Sequence, residues 1–252
     1  MKLTQVAAQL YTCRDSLKNA SAIAATLKRL RQIGYTAVEA CCISAILCEE
    51  FSRILADNGI VCCSSHEGDF LDAPEQAVDR LRALGCKTAV YAYPHGVDLS
   101  SRKRVDEWIA RLQRAAEVLA RAGQVLCYHN HNLEFRKLDG RLILDLIFEG
   151  APALKAEPDT YWIQYGGGDI AAWCGKLAGR FPVIHLKDYQ TTHENKPLWC
   201  EIGEGVLDFK SIIAAAEAAG CQWFAVEQDT CPGDPLESLA RSFRYVREQL
   251  VA

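Results

Sequence analysis

Cys127-Tyr128-His129-Asn130-His131-Asn132-Leu133-Glu134-Phe135 sets two imidazoles and a carboxylate directly behind Gln124-Val125-Leu126, which reads as a short buried strand. A strand leaving an apolar interior does not end in such a run unless its polar groups meet partners, because each unpaired one costs roughly 1–3 kcal/mol. Three later strand patterns finish in the same way, at Asp159, His185 and Glu227. Any one of these residues alone would be an ordinary hydrogen-bonding group. Two imidazoles and two carboxylates at the ends of four successive strands are instead a donor set for a divalent transition metal, and the mix is too rich in nitrogen for a calcium or magnesium cage. His129, Asp159, His185 and Glu227 are therefore the expected metal ligands, with zinc or manganese the expected ion.

The elements that must hold them alternate along the chain. Strand patterns fall at Leu3 to Leu10, Thr36 to Ala40, Ile60 to Ser64, Thr88 to Tyr93, Val125 to His129, Leu154 to Asp159, Val183 to Lys187 and Trp223 to Glu227. Each is followed by a helical pattern, the first capped by Asp15 or Ser16 and the last running from Pro235 to Leu250. Glycines at 34, 59, 85, 123 and 220 stand where helices give way to strands, the position that favours a left-handed cap. The longer polar segments follow strands: an Asp139-Gly140 hairpin after strand five, and a loop from Asp188 to Gly205 after strand seven. Eight such units predict an α/β fold, a (β/α)8 TIM barrel, as one domain over residues 1–252, with the active site on the C-terminal face. Adjacent barrel strands lie about 4.8 Å apart, so strand-end side chains at equal height can converge.

Composition narrows the function. The net charge is −4 with no basic cluster, which leaves no electrostatic footprint for nucleic acid. No apolar run reaches the roughly 18 residues of a membrane span, and the first residues enter a strand pattern without a signal-peptide core, so the expected location is cytoplasmic. The chain holds 12 cysteines, mostly within apolar segments and with no Cys-x-x-Cys pair. We read them as small buried hydrophobes in a reducing cytosol rather than as a redox set.

Taken in order, Ser65-His66, Tyr128-His129-Asn130-His131 with Glu134-Phe135, Glu157-Pro158-Asp159-Thr160-Tyr161-Trp162, His185-Leu186-Lys187-Asp188, Gly203-Glu204-Gly205 and Val226-Glu227 resemble the sugar isomerase/epimerase superfamily with the xylose isomerase-like barrel. In that superfamily the strand-six Asp, strand-seven His and strand-eight Glu bind a divalent metal, which the resemblance places on Asp159, His185 and Glu227. Ketose 3-epimerases of the superfamily carry a Glu on strand five and a substrate-binding His after the strand-six Asp. This chain departs from them with His129 and Trp162.

The resemblance implies a divalent-metal-dependent isomerase or epimerase. It would polarise the carbonyl of a sugar or keto-sugar and stabilise the enediolate left when a neighbouring C–H loses its proton. Glu227, His131 and His66 are the candidate bases. His131 has the alternative of orienting Asp159 or His129, and His66 that of a loop or capping residue. Lys187 lies two residues beyond His185, so on a regular strand both point the same way, and it can donate to a substrate oxygen or anchor a phosphate. Glu134 is expected to bind hydroxyls or pair with Lys187, and Trp162 with Tyr161 to form an apolar wall for a sugar face. Gly166-Gly167-Gly168-Asp169 opens a helix with Asp169 as its cap, and His95 and His193 read as plain loop residues.

A second reading is a dehydratase of a keto-inositol or 3-keto-glycoside, similar to inosose dehydratases, with His129 and His131 serving the departing hydroxyl. A DNA-repair endonuclease is disfavoured by the acidic balance and the shortage of further histidines. A non-catalytic sugar-binding barrel is a further alternative. Apolar helix faces would allow a homo-oligomer.

Overall fold

The computed structural model describes residues 1–68 and 70–251. Its eight-stranded parallel sheet comprises β1 (Val6–Gln9), β2 (Ala37–Ala40), β3 (Val61–Glu67), β4 (Thr88–Tyr91), β5 (Val125–His129), β6 (Lys155–Glu157), β7 (Val183–Leu186) and β8 (Trp223–Val226). The sheet order is β6-β5-β4-β3-β2-β1-β8-β7. The remaining seam, between β6 and β7, is bridged by His185 N–H donating to Pro158 O at 2.8 Å and Ala156 N–H to Arg180 O at 2.9 Å. This is the expected barrel. Its helices are α1 (Ala20–Ile33), α2 (Cys48–Asp57), α3 (Pro74–Leu84), α4 (Arg102–Arg121), α5 (Ile143–Gly150), α6 (Thr160–Tyr165), α7 (Ile170–Lys176), α8 (Phe209–Ala218) and α9 (Pro235–Tyr245).

The helices dock because their apolar residues recur at helical spacing. In α1 the buried positions are Ile23, Thr26, Leu27 and Leu30, one stripe on a period of 3.6. Leu27 is wholly buried, and its truncation to alanine should cost about 2–5 kcal/mol. At the other end of α3, Gly85 takes φ 65°, a left-handed value that closes the helix and turns the chain into β4.

The barrel interior is layered by size and polarity. Ala7, Ala37, Cys63, Val183 and Ala225 form a tightly packed plug of small side chains. Two residues further along their strands, on the same face, stand Gln9, Glu39, His185 and Glu227, all buried. The polar layer therefore rests on the apolar one. A register shift at Val38/Glu39 against β3 leaves Cys63 as an extra residue. Such a bulge re-aims the side chains beyond it, here those of Ser64 and His66.

Several local expectations are corrected. The chain from Leu3 to Leu10 is not one strand, because Leu3–Gln5 is a 3-10 turn ahead of β1. Leu10–Ser16 is also 3-10, so α1 begins later, capped by Asn19 accepting from Ala22 N–H at 2.9 Å. Strand three continues through Glu67, which puts His66 on the strand rather than after it. The loop after β7 contains an antiparallel hairpin pairing Asp188–Thr191 with Pro197–Cys200. The predicted Asp139-Gly140 turn is present, with φ of 52° and 80°, the left-handed pair that a two-residue hairpin turn requires.

Candidate metal and sugar site

His129 closes β5, Asp159 follows β6, His185 lies in β7 and Glu227 follows β8. Ligand atoms of Asp159, His185 and Glu227 lie within 4.8 Å of one another. His129 Nε2 is 4.0 Å from Asp159 Oδ2. The four expected ligands thus converge at the C-terminal mouth of the barrel.

Asp159 divides its carboxylate between two tasks. Oδ1 caps α6 by accepting from Trp162 N–H at 2.9 Å. Oδ2 is buried without a hydrogen bond and faces His185 Nδ1 at 3.7 Å and Lys187 Nζ at 3.2 Å. A buried carboxylate oxygen without a hydrogen bond, aimed at two imidazole nitrogens, fits a metal ligand awaiting its ion.

Two carboxylates that sequence reasoning missed hold the imidazoles from below. Glu39 accepts from His185 Nε2 at 2.6 Å, and also from the Gln9 amide and the Ser64 hydroxyl. Glu157 Oε2 lies 3.1 Å from His129 Nδ1 and 2.9 Å from His66 Nε2. With these edges engaged, His185 turns Nδ1, and His129 turns Nε2, toward Asp159. This is the carboxylate–imidazole arrangement that fixes tautomer and ring orientation in metal sites. His66, His129, Glu157 and His185 form a second cluster with ligand-type atoms equally close. Each set holds a buried carboxylate oxygen without a hydrogen bond, Glu157 Oε1 below and Asp159 Oδ2 above, and in each an imidazole already meets a carboxylate, His185 Nδ1 lying 2.8 Å from Glu227 Oε2. The upper set, Asp159, His185 and Glu227, is the one expected from the sequence.

Lys187 is 1% exposed, and its ammonium stands 2.8 Å from Glu227 and 3.2 Å from Asp229 as well as beside Asp159. Burial alone would lower its pKa, but the three carboxylates more than reverse this and raise it. Asp229, also missed, lies two residues beyond Glu227. Burial pushes its carboxyl up to about 6 against the pull of Lys187. Burial opposes ionisation of Glu227, yet Lys187 and His185 hold its pKa below the usual range. Burial likewise disfavours charge on His66, but Glu39 and Glu157 raise it to about 10. His131 goes the other way: burial, with Lys187 adding, lowers it to about 4.

These groups border a cavity of about 310 Å³ whose walls include His66, His129, His131, Lys187, Glu227 and Asp229, with Tyr11, Tyr93 and His95 at its rim. His95 is therefore part of the pocket and not a plain loop residue. Trp162 packs against His131 with ring centres 5.0 Å apart and planes tilted by 44°, and Lys187 Nζ lies 5.5 Å from its ring centre. Glu134 is fully buried and faces inward: its oxygens accept from the Tyr128 hydroxyl and from His131 N–H, the latter at 2.8 Å. It holds the segment that carries His131.

The remaining motifs build the frame. A Cβ on Gly166 would meet the Phe135 ring at 2.6 Å, so the glycine run is where the β5 loop packs on the β6 loop. Asp169 caps α7, accepting from Ala172 N–H at 2.6 Å. The Asp188 carboxylate accepts the N–H groups of Gly203 and Gly205, each at 3.0 Å, which pins the Gly203-Glu204-Gly205 turn beside Lys187.

A family model described as xylose isomerase-like TIM barrel matches residues 27–249, and the chain belongs to that family. An inosose dehydratase from Geobacillus thermodenitrificans is 28% identical over 165 residues, 57% of this chain and 55% of that protein, so the chain spans about half the length of the curated relative it matches. Among solved structures, a sugar phosphate isomerase/epimerase from Parabacteroides distasonis superposes with a TM-score of 0.82 at 21% identity, covering 98% of this chain and 95% of the other. A xylose isomerase-like TIM barrel protein from Mycobacterium smegmatis, in complex with magnesium, superposes with a TM-score of 0.74 at 14% identity, covering 98% of this chain and 97% of the other. No helix among the described residues is long and apolar enough to cross a membrane.

Proposed function

We propose that the protein is a divalent-metal-dependent isomerase or epimerase of a sugar or keto-sugar. The observation that carries this reading is the convergence of Asp159, His185, Glu227 and His129, of which His129 and Glu227 line a cavity of about 310 Å³. A divalent ion held there, zinc or manganese by its donor set, would act as a Lewis acid toward a carbonyl and its neighbouring hydroxyl.

The chain's own groups divide into donors and acceptors. Lys187 and His66 carry protons near neutral pH, by the directions of their shifts. Glu227, a carboxylate held by Lys187 and His185, and His131, a neutral imidazole, are in the forms that accept one. Glu227 or His131 takes the proton from the carbon beside the carbonyl, and Lys187 donates a hydrogen bond to the oxygen on which charge develops. Return of the proton at the neighbouring carbon gives an isomer. Return on the opposite face of the same carbon gives an epimer. Trp162, beside His131 and Lys187, offers an apolar ring for one face of a sugar.

A second reading, a dehydratase of a keto-inositol or 3-keto-glycoside, is favoured by the match to an inosose dehydratase. Its first step is the same, after which a β-hydroxyl leaves with a proton, for which His66 is the protonated imidazole at the pocket wall. Incubation of the metal-loaded protein in deuterium oxide with a panel of ketoses and keto-inositols tests both. Deuterium at the carbon beside the carbonyl without mass loss supports isomerisation or epimerisation. Loss of water supports the dehydratase, and neither outcome across the panel would count against both.

A further inference from the structure

Cys41 and Cys42 follow β2 on the face of the barrel that carries the site, and Cys41 lies two residues beyond Glu39. Successive side chains of an extended chain point to opposite sides. Here the backbone at Cys42 turns with φ 59°, one of three non-glycine residues in the described chain with a positive value. That turn brings the two sulfurs to one side, with Sγ atoms 3.4 Å apart. Cys42 is exposed and Cys41 half-buried. Arg14 donates to the carbonyls of Tyr11 and Asp229, which ties the rim of the pocket together close to this pair.

The hydrogen bond from Cys41 draws the Cys42 thiol down to about 7, with the Arg14 field adding to it, and the same bond pushes the Cys41 thiol up. Cys42 is thus the thiolate and Cys41 the proton-bearing neighbour. One other pair is similar, since a bond from Cys62 draws the Cys86 thiol down, but Cys86 is buried whereas Cys42 is exposed. Eight other cysteines are buried. Burial pushes the Cys13 thiol, for example, up to about 12, which leaves it inert.

We propose that Cys41 and Cys42, directly after β2 on the site-bearing face of the barrel, form a redox-active vicinal dithiol, closed to a disulfide by a hydroperoxide and reopened by thiols. The Cys42 thiolate attacks the terminal peroxide oxygen, the O–O bond breaks, and the departing hydroxide, or alkoxide from an organic hydroperoxide, takes a proton to become water or the alcohol. Cys42 is left as the sulfenic acid. The Cys41 sulfur then attacks Cys42, the S–S bond forms, and the sulfenic oxygen leaves as water with the Cys41 proton. Two thiols are oxidised by two electrons and one peroxide is reduced. Neighbouring Cα atoms are about 3.8 Å apart, short of the usual disulfide span of about 4.4–6.8 Å. The closed ring is therefore strained, and strained, exposed disulfides are the readily reduced ones.

The test uses the full reduced chain, treated with a small excess of hydrogen peroxide at neutral pH, alkylated, digested and mapped by mass. The expected result is a peptide carrying both residues that has lost two hydrogens, resists alkylation and regains both thiols with dithiothreitol. A Cys42→Ser chain, changed only at an exposed side chain, should lose this product and consume peroxide about tenfold more slowly. Both residues remaining alkylatable while other cysteines oxidise would overturn the proposal. So would a Cys42 sulfenic acid in the natural chain that persists and is never resolved by Cys41.

Discussion

Glu39 and His185, three strands apart in the barrel, are joined by a 2.6 Å hydrogen bond from the imidazole Nε2 to the carboxylate. The bond holds Nε2 and so turns the other nitrogen, Nδ1, toward the proposed ligands, 2.8 Å from Glu227 and 3.7 Å from Asp159. The metal reading therefore depends on a residue outside the ligand set.

Replacing Glu39 with glutamine should weaken divalent-metal affinity by about 10–100-fold while leaving the barrel folded, because the buried side chain keeps its volume but loses its charge. Competition titration with a chromogenic chelator, alongside circular dichroism, measures both quantities. Unchanged affinity in a folded Glu39→Gln chain would reduce Glu39 to a packing residue.

Lys187 neutralises Asp159, Glu227 and Asp229 when no ion is bound. Lys187→Met should destabilise the metal-free protein by about 3–5 kcal/mol, since it strands buried carboxylates. A divalent ion supplies the missing charge, so manganese should raise the Tm of this variant more than that of the natural chain. Equal shifts in thermal scans would contradict the idea that ion and ammonium serve the same carboxylates.

His66 gives the chelator-treated protein a pH dependence. Burial opposes its charge, but Glu39 and Glu157 raise its folded pKa to about 10, above the ordinary imidazole value of about 6.5. The stability it contributes is complete below the unfolded value and is lost as pH rises through about 10. Urea unfolding of the metal-free chain should show stability falling between pH 7 and pH 10 in that window, with a shallower fall in His66→Gln. Parallel profiles would rule out His66 as the source.

Gly205 has its Cβ position occupied by the Asp188 carboxylate and the Tyr189 carbonyl. Gly205→Ala should therefore expel Asp188 from the backbone N–H groups it accepts, loosening the turn beside Lys187. A cost of about 1–3 kcal/mol is expected from the stranded buried groups. Chemical denaturation measures it, and a neutral result would mean that the turn relaxes without Asp188.

The barrel was legible because its helices carry long periodic stripes, as in α1 and α4, and its turns carry glycines that the backbone needs. Three of the proposed ligands, His129, His185 and Glu227, were legible because each stands at the end of an apolar run, whereas Asp159 follows the mixed Lys155-Ala156-Glu157-Pro158 and was legible through the family resemblance. Glu39 was hidden for the opposite reason: it sits between Val38 and Ala40 inside its strand, and only the barrel's curvature brings it under His185. Asp229 and Glu157 were within reach of the same two-residue spacing that linked Lys187 to His185, applied from Glu227 and Asp159. The bulge at Cys63 that turns His66 inward has no glycine or proline to mark it. Nor did the sequence separate Cys41-Cys42 from the other cysteines, because the left-handed turn that joins them is set by the loop around it.

The most direct test of the central claim is elemental analysis of the purified protein after reloading with divalent ions, alongside Asp159→Ala and Glu227→Ala chains shown to be folded. The account predicts close to one zinc or manganese per natural chain and a loss of that ion in both variants. A natural chain that binds no divalent ion, or variants that retain it in full, would contradict it.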